Sequence, residues 1–167
     1  DAQESRGLGD VYKRQELDKL ISYVGDRKEI TSYDLEQLTS SQTINQIFIM
    51  LDAIARKQRD KVLTLYYDLI ELKESPFGIL ALLARQCNQL LQVKNLDDLG
   101  KDNGTISKEI KIPAFAVGKL KDQSKMFSIE VLLNMVEACA KTDELIKTGK
   151  INDRVGVELI LIQFSQN

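Results

Sequence analysis

The sequence predicts an all-α protein, a bundle of roughly eight helices of ordinary length joined by short connections. Three observations predict this fold class. From residue 16 almost to the end, apolar residues recur three and four positions apart, which is the spacing of one helix face. The alternation of apolar and polar residues that is typical of strands is missing. Hydrophobic residues make up 43% of the 167 residues and charged residues 29%, so the chain can bury the core of one domain.

Stop signals and capping signals divide the first part of the pattern. A helix that begins at Glu16 ends at Gly25, because glycine is a natural C-terminal stop. The spacing of a capping box at Thr31 predicts the start of a second helix, and the same spacing at Thr43 predicts the start of a third. The polar residues 39–43 therefore predict a boundary between a small helical piece and the main bundle.

The middle of the chain predicts two longer helices and a loop. Residues 62–72 carry apolar strips on two faces of one helix. Ser75 followed by Pro76 is an N-cap with proline at the first helical position, so the next helix begins there. Residues 95–104, with the sequence NLDDLGKDNG, hold the turn residues of the clearest predicted loop.

Four helices are predicted after that loop. Thr105 caps a short helix, and Pro113 begins the next one. Ser128 caps a long helix that Gly149 closes. The last helix starts around Asn152.

The last helix is apolar nearly all round. Two stripes run along it, Val155, Leu159 and Ile162 on one and Val157, Leu161 and Phe164 on the other. Such a helix must be buried nearly all round, so one stripe packs on the domain's own helices. The first stripe is a candidate subunit interface, and a helix wholly inside the domain is the alternative.

The composition argues against an ordinary enzyme. The chain has no His, which removes the Ser-His-Asp and Cys-His triads and the His-containing zinc sites. Cys87 and Cys139 lie in apolar helical patterns and predict buried, reduced thiols. The carboxylate pairs at 97–98 and 143–144 have lysines nearby and predict solvated faces, and no glycine loop for phosphate is present. We therefore predict no catalytic, cofactor-binding or metal-binding residue.

A basic segment follows the predicted loop, although the chain as a whole has a net charge of −2. Six lysines oppose three acidic residues between positions 101 and 126, where two short helices joined by a proline turn loosely resemble a helix-turn-helix. The candidate DNA contacts are Lys108, Lys111, Lys119, Lys121 and Lys125. A solvated lysine-rich face is the alternative, because the Arg, Asn and Gln side chains that read base edges are sparse there.

Residues 1–15, with the sequence DAQESRGLGDVYKRQ, show no apolar period. They predict a leader that is either not native protein or disordered. Residues 10–15 can be back-translated into a string that resembles the end of a transposon-based sequencing adapter. We therefore leave this leader out of the fold prediction.

Four segments in order resemble the C-terminal part of the delta family of clamp-loader subunits of bacterial DNA polymerase III. The order and spacing of these segments are more specific than any single segment. The most specific short motifs are YVGDR at 23–27, LLARQ at 82–86 and IKTG at 146–149. The segments are ELDKLISYVGDRKEITSYDLEQL from Glu16, ILALLARQCNQLLQVK from Ile79, KEIKIPAFAVGKL from Lys108 and FSIEVLLNMVEACAKTDELIKTGKINDRVGVELILIQF from Phe127.

This resemblance implies a domain organisation and a function. Residues 16–40 would be the end of an AAA+-type helical lid domain, and residues 41–167 would be a helical collar that packs with the collars of other clamp-loader subunits. The full-length protein would also meet the sliding clamp and DNA during replication, in the cytoplasm and without a membrane. The family belongs to the DNA polymerase III holoenzyme, a nucleotidyltransferase, but no catalytic residue is carried over to this chain. The alternative function is a free-standing helical DNA-binding module that uses the basic segment.

Overall fold

The computed structural model describes residues 32–166, with side chains from residue 41 onward, and all regular secondary structure in that part is helical. The all-α prediction is therefore confirmed. Seven helices lie in the described part: α1 (Ser32–Ala55), α2 (Arg59–Glu71), α3 (Pro76–Asp98), α4 (Asn103–Ile110), α5 (Ala114–Ser124), α6 (Ile129–Lys147) and α7 (Asp153–Ser165). The leader at 1–15 and the helix predicted to end at Gly25 lie outside the described residues.

The chain divides into two compact units, residues 1–45 and residues 46–167. The described part of the first unit is the beginning of α1. The second unit contains the remainder of that helix and all of α2 to α7.

Two sequence predictions about helix ends were wrong. Residues 39–43 lie inside a helix and Thr43 does not begin one, because α1 is continuous from Ser32 to Ala55. This segment contains no glycine or proline, and Ser, Thr and Gln can occupy a helix interior at a small cost in propensity. The predicted loop at 95–104 is also shorter, since α3 continues to Asp98 before Gly100 turns the chain at a φ of 76°.

The capping predictions mostly hold. Side-chain oxygens of Ser75, Ser128 and Asn152 accept hydrogen bonds from the backbone N–H three residues later, and each begins a helix as predicted. The cap of α4 differs from the prediction, because the carboxylate of Asp102 accepts from the N–H of Thr105. That bond also lowers the pKa of the Asp102 carboxyl.

Helix α3 is the centre of the second unit and packs against α4, α5, α6 and α7. Further contacts join α2 to α7, α6 to α7 and α4 to α5. The side chains that α3 buries are Ile79, Leu80, Leu83, Gln86, Cys87, Leu90 and Val93. The end of α1 joins the same core through Ile47, Met50, Leu51 and Ile54.

Both cysteines are buried free thiols, Cys87 on α3 and Cys139 on α6. Burial raises the pKa of Cys139 to about 12 and also raises the pKa of Cys87, where the neighbouring Cys139 adds to the effect. Thiols are reactive as thiolates, so both behave here as small apolar residues. Among the described helices, none has the length and apolarity to cross a membrane.

Candidate functional site

An exposed apolar surface lies on one side of α7, where Val155, Leu159 and Ile162 form the row that we call the outer stripe. Val155 is 47% exposed and Leu159 is 52% exposed, and Ile162 is half-buried. The opposite side of the same helix buries Val157, Ile160 and Leu161. Helix α7 therefore has one apolar side in the core and a second apolar side in contact with solvent.

Helix α2 holds one flank of α7 through two adjacent tyrosines. The hydroxyl of Tyr66 donates to the backbone carbonyl of Arg154 at 2.9 Å. The hydroxyl of Tyr67 donates to the Glu158 carboxylate at 2.7 Å, and the Arg154 guanidinium lies 5.8 Å from the centre of the Tyr67 ring. Burial raises the pKa of Tyr66 to about 12, and the hydrogen bond to Glu158 raises the pKa of Tyr67. Both hydroxyls thus remain protonated donors at neutral pH.

Helix α6 holds the other flank of α7 at a glycine. A Cβ atom at Gly156 would lie 3.1 Å from Cγ2 of Thr142 and 3.6 Å from Cδ1 of Ile146. Those distances show that the two helices approach closely at this point, and a Cβ at position 156 would require Thr142 to shift by a few tenths of an ångström. Because α7 is held on both flanks, its rotation about its own axis is set, and the outer stripe is directed away from the core.

This geometry bears on the two alternatives that the sequence left open for the last helix. A helix wholly inside the domain does not fit, because Val155 and Leu159 are about half exposed. A row of exposed apolar side chains on a rigid helix suits contact with another protein surface. The role of the outer stripe as a subunit interface stays a prediction.

The five lysines of the basic segment are not brought together into one surface by any contact in the described part. Lys121 forms an ion pair with Asp97 at 3.2 Å, and the ammonium of Lys119 lies 4.1 Å from the centre of the Phe48 ring. The remaining three, Lys108, Lys111 and Lys125, are exposed. Two of the five thus already serve contacts within the bundle, and their contact with DNA stays a prediction.

No metal site was predicted, and the residues that the structure describes contain no group of three or more His, Cys, Asp and Glu residues arranged to hold a metal ion. The sequence reading missed the hydrogen-bonding role of Tyr66 and Tyr67, which it treated only as apolar positions. The available signal was the tyrosine pair itself, since a buried tyrosine hydroxyl needs a partner.

Comparison with known proteins gives three findings. Residues 44–164 match the family described as "DNA polymerase III delta subunit, C-terminal domain". The chain is 34% identical over 149 residues to DNA polymerase III subunit delta of Bacillus subtilis. The aligned stretch covers 89% of this chain and 43% of that protein. It is 26% identical over 134 residues to a probable DNA polymerase III subunit delta of Aquifex aeolicus, covering 79% and 38%.

A solved structure agrees with these matches. The Bacillus subtilis DNA clamp loader delta protein superposes with a TM-score of 0.74 at 34% identity, over 90% of this chain and 44% of that one. The chain spans about two fifths of the length of the relatives that it matches.

Proposed function

Because the chain belongs to the family of DNA polymerase III delta subunits, through the C-terminal domain of that family, we propose that it is an assembly module of a clamp loader. The observation that carries this proposal is the outer stripe of α7. Val155 and Leu159 expose apolar surface on a helix whose orientation is set by α2 and α6. The function of this chain is then packing against other subunits, without chemistry of its own.

The proposed contact resembles a core divided between two proteins. The outer stripe would supply the apolar centre, and the polar residues beside it, including Arg154 and Glu158, would supply the rim. Glu158 and Arg154 already contact Tyr67, so the rim side chains on that flank are ordered before binding. Side chains that are ordered beforehand lose less conformational entropy on association.

The organisation of the whole protein follows from the same proposal. Residues 41–167 are the collar, and residues 16–40 are the end of the helical lid domain. The collar contacts other clamp-loader subunits, and the full-length protein meets the sliding clamp and DNA as part of the DNA polymerase III holoenzyme in the cytoplasm. The similarity of the chain to clamp-loader delta proteins supports these statements.

A charge on the outer stripe tests the proposal. Leu159→Lys should weaken association with the other clamp-loader subunits of the source organism at least about tenfold, because a desolvated, unpaired charge costs several kcal/mol. The measurement is sedimentation velocity of the mixed subunits over a concentration series. Leu99→Lys is the matched control, because it makes the same chemical change at a residue outside α7. Leu99 is 65% exposed in the turn after α3.

The control should change association by less than about twofold. Equal assembly by Leu159→Lys and the unchanged chain would contradict the proposal. So would equal weakening by both variants, since that would reflect added charge and not the outer stripe. Thermal unfolding of each variant should give a cooperative transition, which checks that the fold is retained.

A further inference from the structure

A cleft lies between the C-terminal end of α7 and the turn that joins α1 to α2, together with the first residues of α2. It has a volume of about 490 Å³, which is within the range of small-molecule sites. The residues that line it within the described part are Lys57, Gln58, Arg59, Asp60, Lys61, Ser165 and Gln166. None of these is aromatic or aliphatic, so the cleft suits a polar or charged group and not an apolar one.

The side chains that line the cleft have a net positive charge. Three of its lining residues, Lys57, Arg59 and Lys61, are cations, and Asp60 is the single acid among them. The Asp60 side chain is 98% exposed and stands 3.9 Å from Nε of Arg59, which is a weak, solvent-screened pair. Asp60 therefore leaves most of the positive charge in place.

One cation of the cleft is held in position. The ammonium of Lys57 donates to the backbone carbonyl of Phe164 at 3.1 Å, near the end of α7. The N–H groups of Lys57 and Gln58 bond back to carbonyls of α1, so the backbone of the turn is also ordered. The ammonium keeps two further donor hydrogens for another acceptor.

We propose that this cleft binds phosphate groups, carried by a nucleic-acid backbone or present as free phosphate. Arg and Lys together offer forked and single donors that match phosphate oxygens. A lining without aromatic side chains has nothing on which a base could stack, so the cleft would hold the backbone without reading its sequence. This proposal does not rest on the assembly function, because the outer stripe contributes no residue to the cleft.

The test compares two double variants that remove the same charge. Arg59→Gln with Lys61→Gln removes two cations of the cleft. Arg56→Gln with Lys73→Gln removes two exposed cations outside its lining, one of which is paired with Asp52 at 2.9 Å. The probe is a labelled single-stranded oligonucleotide of mixed sequence, and fluorescence anisotropy is recorded at several low salt concentrations.

The cleft variant should bind the oligonucleotide about tenfold more weakly, and the slope of log K against log salt should fall by about 1.4, as expected for two lost phosphate contacts. The control should stay within about twofold. Inorganic phosphate serves as a second probe: protection against thermal unfolding by phosphate, lost in the cleft variant and seen without oligonucleotide binding, would identify free phosphate as the ligand. Equal weakening by both double variants, or no binding of either probe at low salt, would overturn the proposal.

Discussion

Leu159 and Leu161 are two residues apart on α7, but their truncation should have clearly different effects on folding. Leu161 is fully buried and Leu159 is 52% exposed. Leu161→Ala removes a core side chain and leaves a cavity, which costs about 2–5 kcal/mol. Leu159 keeps only about half of its surface out of water, so the lost transfer free energy is about 1 kcal/mol. Alanine's better helix propensity returns a few tenths of that.

Urea unfolding followed by circular dichroism measures this difference directly. With a slope of about 2 kcal/mol per molar urea, Leu161→Ala should lower the midpoint by about 1–2.5 M. Leu159→Ala should lower it by at most about 0.5 M. A loss of the same size for both variants would show that Leu159 is a core residue, and the outer stripe would then have no surface to offer a partner. The slopes should agree among the variants, because a changed slope indicates a changed denatured state.

Three further predictions concern the contacts of α6, α7 and the core. Alanine has the better helix propensity by about 1 kcal/mol, but its Cβ at position 156 would lie 3.1 Å from Cγ2 of Thr142. In urea unfolding, Gly156→Ala should therefore be about 1 kcal/mol more favourable in the Thr142→Ser background, which lacks that methyl group, than in the unchanged chain; equal effects in the two backgrounds would rule out the contact. Burial raises the pKa of Cys139 to about 12, so little of the reactive thiolate is present at neutral pH. Cys139 should therefore react with a thiol reagent about a hundredfold more slowly in the native protein than in denaturant. Equal rates would contradict its burial. Burial raises the pKa of Tyr66 from 10.0 to about 12, so the folded protein keeps a proton there that the unfolded chain loses. The free energy of unfolding should therefore fall as the pH rises from about 10 to about 12, and Tyr66→Phe should make that fall smaller. The same pH profile for both proteins would refute this prediction.

Local signals were sufficient to predict most helix starts. Ser75, Ser128 and Asn152 each satisfy a backbone donor within the same turn, so no distant residue is needed to make them caps. The end of α3 could not be predicted in this way. Asp97 continues that helix and pairs with Lys121 of α5, and a partner 24 positions along the chain is invisible to a local reading of turn residues.

The outer stripe of α7 was predicted from the sequence as the candidate interface, but the local pattern gives no physical reason for choosing that stripe over the other. Both stripes of α7 are apolar, so periodicity alone does not say which of them is buried. The choice is made by other helices, through the hydrogen bond from Tyr66 to the Arg154 carbonyl and through the close approach at Gly156. A sequence can therefore predict that a second apolar side exists, while tertiary contacts decide which side it is.

The two proposed surfaces both include residues of α7 and still give separate experimental signatures. The outer stripe is apolar, so its contact should respond weakly to salt and strongly to Leu159→Lys. The cleft beside Ser165 is cationic, so its ligand should respond steeply to salt and to loss of Arg59 and Lys61. A variant of one surface that left the other response unchanged would show that the end of α7 and its outer side act independently. Loss of both responses from Leu159→Lys alone, with the fold intact, would show instead that nucleic acid binds across the stripe and would move the phosphate site away from the cleft.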